Sequence, residues 1–129
     1  MPAPKILLVE DDINLSTILK VAFERSGFTV EQAFNGEEAF KALNDEQFLP
    51  DIILLDIIMP TLDGFGFMKK LRGSVLEFSH IPVMALTSLS QKADFEKMMS
   101  HGTVDYLVKS DYEPQQIVTK VKEMLKRFE

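Results

Sequence analysis

Between Asp51 and Gly64 the chain reads DIILLDIIMPTLDG, and this stretch restricts the fold more than any other. Ile52, Ile53, Leu54 and Leu55 form a run too short for a helix and apolar at every residue. That is the pattern of a strand buried on both faces of a parallel sheet. An acid, Asp56, stands where the run ends. Open α/β sheets bind their ligands outside the carboxyl ends of their strands, which is where this carboxylate falls. Pro60 and Asp63-Gly64 then impose a turn before the chain coils again. Asp56 is either a cap on that turn or a working group, and its neighbours in the fold decide between the two.

The same grammar recurs along the chain. Lys5 to Val9 is an apolar strand closed by Glu10, Asp11 and Asp12. Leu15, Ile18, Leu19, Ala22 and Phe23 follow at helical spacing, with Asp12 or Asn14 as cap and Gly27 suited to the end. Thr29 to Ala33 is a second strand, less apolar and so placed nearer an edge. Asn35-Gly36 breaks it, and Ala39, Phe40 and Leu43 mark a second helix. Phe65, Phe67, Met68 and Leu71 mark a short third helix, and Gly73 to His80 has no period and reads as loop. Val83 to Leu86 is a fourth strand ending at Thr87-Ser88. Ser88 or Ser90 is the expected cap of a fourth helix with Phe95, Met98 and Met99 facing inward and Gly102 beyond its end. Val104 to Val108 is a fifth strand, with Lys109 at its terminus. Pro114 opens a last helix striped by Ile117, Val121, Met124, Leu125 and Phe128. Strand and helix alternate five times without a repeat or a linker, and right-handed crossovers of this length give a parallel sheet with helices on both faces.

Composition narrows the function. The 129 residues fit one domain spanning the chain, 1–129, with nothing left over for an output domain. A net charge of -6 argues against direct binding to nucleic acid. No apolar run has the length of a membrane span and no signal peptide opens the chain. The absence of cysteine excludes thiolate chemistry and disulfides and fits a cytoplasmic protein.

In a parallel sheet the strand ends share one edge. That edge would gather Glu10 and Asp11 from the first strand, Asp56 from the third, Thr87 from the fourth and Lys109 from the fifth. Three crowded carboxylates repel one another, and a divalent cation removes the conflict. All-oxygen ligands favour Mg²⁺, or Mn²⁺, over zinc, and a sparse protein ligand set suits an ion that keeps waters and shares a phosphate. A metal, a lysine and a hydroxyl around one carboxylate are the parts phosphoryl transfer needs. Asp56 would attack as nucleophile, while Lys109 and Thr87 contact the phosphoryl oxygens.

KILLVEDD, DIILLDIIMPTLDG, ALTS and DYLVK, in this order and at this spacing, resemble the receiver domain of two-component response regulators over nearly the whole chain. The resemblance implies a flavodoxin-like, doubly wound sheet of five parallel strands in the order 2-1-3-4-5 with five flanking helices. It implies that Asp56 accepts a phosphoryl group from a phosphohistidine of a sensor histidine kinase or phosphotransfer protein. Asp11 would bind Mg²⁺ directly, Glu10 through water, and the carbonyl of Ile58 would complete the protein ligands. Thr87 and Tyr106 would form the switch that carries the event to the face of the fourth helix, fifth strand and fifth helix. That face would then serve a downstream protein or a phosphorylation-dependent dimer of an otherwise monomeric chain. Such a chain catalyses its own phosphotransfer and a slow autodephosphorylation, without being a turnover enzyme.

Two departures from the family pattern stand out. Ser110 follows Lys109 where the family has a cis-proline, and a cis bond before serine costs about 2.5–4 kcal/mol, so a trans bond is expected. Ile58 and Leu89 are apolar at positions where the family often places water with polar side chains, which predicts slow loss of the phosphoryl group. Two other readings compete. A haloacid-dehalogenase-like phosphatase would need a second acid at the position of Ile58. A degenerate receiver acting only as a binding module would not need Glu10, Asp11, Asp56, Thr87 and Lys109 intact.

Overall fold

The computed structural model describes residues 3–45, 48–74 and 80–128. Five strands, β1 (Lys5–Val9), β2 (Thr29–Ala33), β3 (Ile52–Leu55), β4 (Val83–Thr87) and β5 (Asp105–Val108), form one parallel sheet in the order β2-β1-β3-β4-β5. Among the described residues five α-helices accompany it: α1 (Ile13–Arg25), α2 (Gly36–Leu43), α3 (Gly64–Arg72), α4 (Lys92–Ser100) and α5 (Pro114–Arg127).

Strand side chains alternate faces, and the apolar residues of the inner strands divide accordingly. Leu7, Val9, Ile53, Leu55, Val83 and Ala85 point to one face, where Phe40, Phe67, Met68, Leu71 and Met98 from α2, α3 and α4 cover them. Ile6, Leu8, Ile52, Leu54, Met84 and Leu86 point to the other, beneath Leu19 and Phe23 of α1 and Ile117, Val118 and Val121 of α5. Continuous apolar strands are thus the signature of a sheet covered on both sides. Each large side chain taken out of water contributes roughly 1.5–3 kcal/mol before entropy is counted. β2 lies at an edge, as its less apolar composition predicts, and only Ala33 of it is fully buried.

Local chemistry sets the helix starts. Asp12 accepts from the Leu15 N–H at 3.1 Å, Asn35 from Glu38 at 2.8 Å and Asp63 from Gly66 at 2.8 Å. Gln116 accepts from the Glu113 N–H at 2.7 Å beside Pro114 at the start of α5.

Several expectations change. Neither Ser88 nor Ser90 caps α4: Gln91 holds that position, without a side-chain hydrogen bond. Of the three residues expected to face inward from α4, only Met98 is buried, while Phe95 and Met99 are 41% and 37% exposed. Met99 lies about 100° round the helix from Met98 and cannot share its direction. Ile18 stands one position before buried Leu19 and is likewise exposed, as is Phe128 at the end of α5. The expected loop from Gly73 to His80 falls largely on 75–79, outside the described residues. No described peptide bond is cis, so Lys109–Ser110 is trans, within a 3₁₀ turn over Lys109–Asp111. Among the described residues no helix is long and apolar enough to cross a membrane.

Candidate functional site

The pairing of β1 with β3 sets Val9 beside Leu55, so the residues that follow them, Glu10 and Asp56, leave the sheet side by side. The Asp56 N–H donates to the Val9 carbonyl at 2.9 Å and fixes that relation. β4 pairs with β5 so that Thr87 lies beside Val108, and Lys109 follows. The lysine side chain reaches across β4 to both acids, its Nζ lying 2.6 Å from Glu10 Oε1 and 3.0 Å from Asp56 Oδ2.

Glu10, Asp56 and Thr87 are buried and Asp11 is exposed at the mouth. Asp56 Oδ1 accepts from the Ile57 N–H at 2.7 Å, which orients the carboxylate. Glu10 Oε2 accepts from the Asp12 N–H at 3.1 Å. Its other oxygen is buried without a well-directed hydrogen bond and is met by the Lys109 ammonium. Burial pushes the Glu10 carboxyl from an ordinary 4.5 up to about 7; its contact with Lys109 opposes the rise and the charge on Asp56 adds to it. Burial alone would lower Lys109, but Glu10 and Asp56 outweigh it and hold the ammonium above its usual value.

Thr87 Oγ1 accepts from the Leu89 N–H at 3.2 Å, which leaves its hydroxyl hydrogen available to a ligand. The Tyr106 hydroxyl donates to the Leu89 carbonyl at 2.8 Å. Ile58 lies two residues beyond Asp56 with its side chain 56% exposed. Helix α3 closes the floor. The Gly64 N–H donates to the Ile57 carbonyl at 2.7 Å, and a Cβ at Gly64 would stand 2.6 Å from Ile57 Cα and 2.7 Å from the Asp56 carbonyl oxygen. That close approach, and the ion pair between Lys109 and Glu10, have no signal in the sequence beyond the glycine itself.

The donor set suits a small hard cation. Glu10, Asp11 and Asp56 each offer an oxygen within 4.8 Å of the others. Octahedral ligands at about 2.1 Å stand roughly 3 to 4.2 Å apart, so modest closure, or a water on Glu10, completes the match. A cation would share the Glu10 oxygen that Lys109 meets and offset the charge that one ammonium leaves on three carboxylates.

A 2-1-3-4-5 parallel sheet carrying an acidic pocket with a lysine at its carboxyl edge defines a flavodoxin-like α/β domain with a cluster of charged side chains at one rim. The chain belongs to the response regulator receiver domain family, whose sequence profile matches residues 6–122. It is 38% identical over 125 residues to the alkaline phosphatase synthesis transcriptional regulatory protein PhoP of Bacillus subtilis, covering 97% of this chain and 50% of that protein. It is 37% identical to the CpxR homolog of Haemophilus influenzae, covering 95% of this chain and 51% of the relative. The chain thus spans about half the length of the curated relatives it matches. Among solved structures, the receiver domain of the Francisella response regulator 1452 superposes with a TM-score of 0.86 at 30% identity, over 98% of this chain and 99% of that one. A two-component response regulator from Clostridium difficile superposes with a TM-score of 0.85 at 28% identity, over 97% and 98%. The architecture and strand order expected from the sequence are those observed.

Proposed function

We propose that residues 1–129 act as a single receiver domain in which Asp56 takes a phosphoryl group from a phosphohistidine on a sensor histidine kinase or phosphotransfer protein. The observation that carries this reading is the meeting of Glu10, Asp11, Asp56 and Lys109 at one rim. An Asp56 carboxylate oxygen forms the new bond to phosphorus, and the P–N bond breaks with its electron pair returning to the imidazole. Lys109, already against Asp56, neutralises charge on the phosphoryl oxygens, and Thr87 donates its free hydroxyl hydrogen to one of them. Glu10, Asp11, Asp56 and the Ile58 carbonyl would hold Mg²⁺, for which Mn²⁺ can substitute, and the bound ion supplies further charge neutralisation at the phosphoryl group.

The output is a changed surface rather than a released product. Thr87 and Tyr106 share Leu89 and lead from the pocket to the face made by α4, β5 and α5, where a downstream protein or a second copy would bind. The setting is the cytoplasm. Relatives named as transcriptional regulators are about twice as long as the match, so any DNA contact would fall to another domain, not to this acidic one.

Incubation with acetyl phosphate and Mg²⁺, read by intact mass, tests the assignment. The wild type gains one phosphoryl group and Asp56→Asn gains none. A mass increase that survives the substitution rejects Asp56 as the acceptor.

A further inference from the structure

Where the pocket meets the surface of α4, one residue carries two bonds. Leu89 donates its N–H to Thr87 Oγ1 at 3.2 Å and accepts from the Tyr106 hydroxyl at 2.8 Å. Tyr106 is only half-buried, and a single hydrogen bond that water can replace is a weak restraint on a phenol near the sheet edge. A second contact is present. The Phe95 ring lies 5.5 Å from the Tyr106 ring, centroid to centroid, with the planes inclined by 36°. Phe95 belongs to neither layer of the core and keeps 41% of its surface exposed, so its packing is directed at Tyr106. Rings at this separation attract beyond the area they bury.

We propose that Phe95 is a positioning residue for Tyr106: from α4 its ring holds the phenol inward, on the Leu89 carbonyl, before any phosphoryl group reaches Asp56. The path from Thr87 to α4 is then closed in the resting protein, and phosphorylation strengthens an arrangement that already prevails. This consequence rests on the phosphoacceptor reading of Asp56; the rotamer claim does not.

The test uses the full, unphosphorylated chain. It has two tyrosines and no tryptophan, so with Tyr112→Phe the ring of Tyr106 gives the sole tyrosine signals in an NMR spectrum. Three-bond couplings and ring contacts to Leu89 give the ratio of inward to outward rotamer. The inward form prevails with Phe95 present. Phe95→Leu and Phe95→Met keep apolar bulk without a ring and lower the ratio on the order of 2- to 12-fold, the worth of an aromatic pair. Phe95→Trp, an aromatic ring that adds no tyrosine signal, keeps it. An unchanged ratio in both apolar variants, an outward ring in the parent, or failure of Phe95→Trp to keep the ratio overturns the proposal. Failure of Asp56 to accept a phosphoryl group would strike the reading of the pocket and leave these ratios as they are.

Discussion

At the scale of single residues, the pocket combines a carboxylate held by a backbone N–H with flanking side chains that offer water nothing. Ile58 and Leu89 stand two residues beyond Asp56 and Thr87, and neither can orient an attacking water by hydrogen bonding. The purified phosphoprotein with Mg²⁺ should therefore lose its phosphoryl group over hours rather than seconds, and Ile58→Asn should shorten that lifetime severalfold. Release within seconds by the wild type, followed by phosphate assay, would contradict this. Which polar residues gather was legible in the sequence because each closes an apolar strand, and strand ends in a parallel sheet share an edge. What Lys109 touches was not. Its contact with Glu10 depends on how far a side chain from β5 reaches across β4, and no local pattern encodes that distance.

At the scale of elements, α3 and α4 serve the pocket in opposite ways. The N-terminus of α3 is pressed against the Asp56–Ile57 backbone, and Gly64 is what permits the approach. Gly64→Ala should force that backbone to move, costing about 1–3 kcal/mol as overpacking does, with weaker Mg²⁺ binding as its companion. Urea unfolding and a Mg²⁺ titration measure both; unchanged stability would mean that the loop yields freely. Helix α4 instead sits lightly on the sheet, with Met98 as its one buried residue. Its inward face was misjudged in the sequence because apolar spacing alone does not distinguish a core stripe from residues that flank it. The serines after Thr87 were poor guides to its cap, since the chain bends at Ser88, enters the helix only after an extended Gln91, and lends its Leu89 backbone to Thr87 and Tyr106.

At the scale of the whole molecule, the fold concentrates three carboxylates at one rim, two of them with Lys109 as their ion-pair partner, and ties stability to their neutralisation. Glu10 binds its proton more tightly folded, near 7, than unfolded, near 4.5. Its stabilising contribution is therefore complete below about 4.5 and is lost as pH rises through about 7. In EDTA the melting temperature should fall between pH 5 and pH 8, and millimolar Mg²⁺, held by the ionised carboxylates as proposed, should flatten or reverse that slope. Parallel profiles with and without the ion would refute the coupling. The alternation of strands and helices was readable from periodicity; the lateral order of the strands was not, because the apolar runs of β1, β3 and β4 are interchangeable in pattern, and it followed from family resemblance. On the reading proposed here, this rim makes Asp56 an acyl phosphate acceptor. Borohydride reduction of the phosphorylated chain, followed by peptide sequencing, tests it most directly: homoserine at position 56 is the predicted product, and homoserine at position 11, or at neither site in a chain that has gained phosphoryl mass, would contradict it.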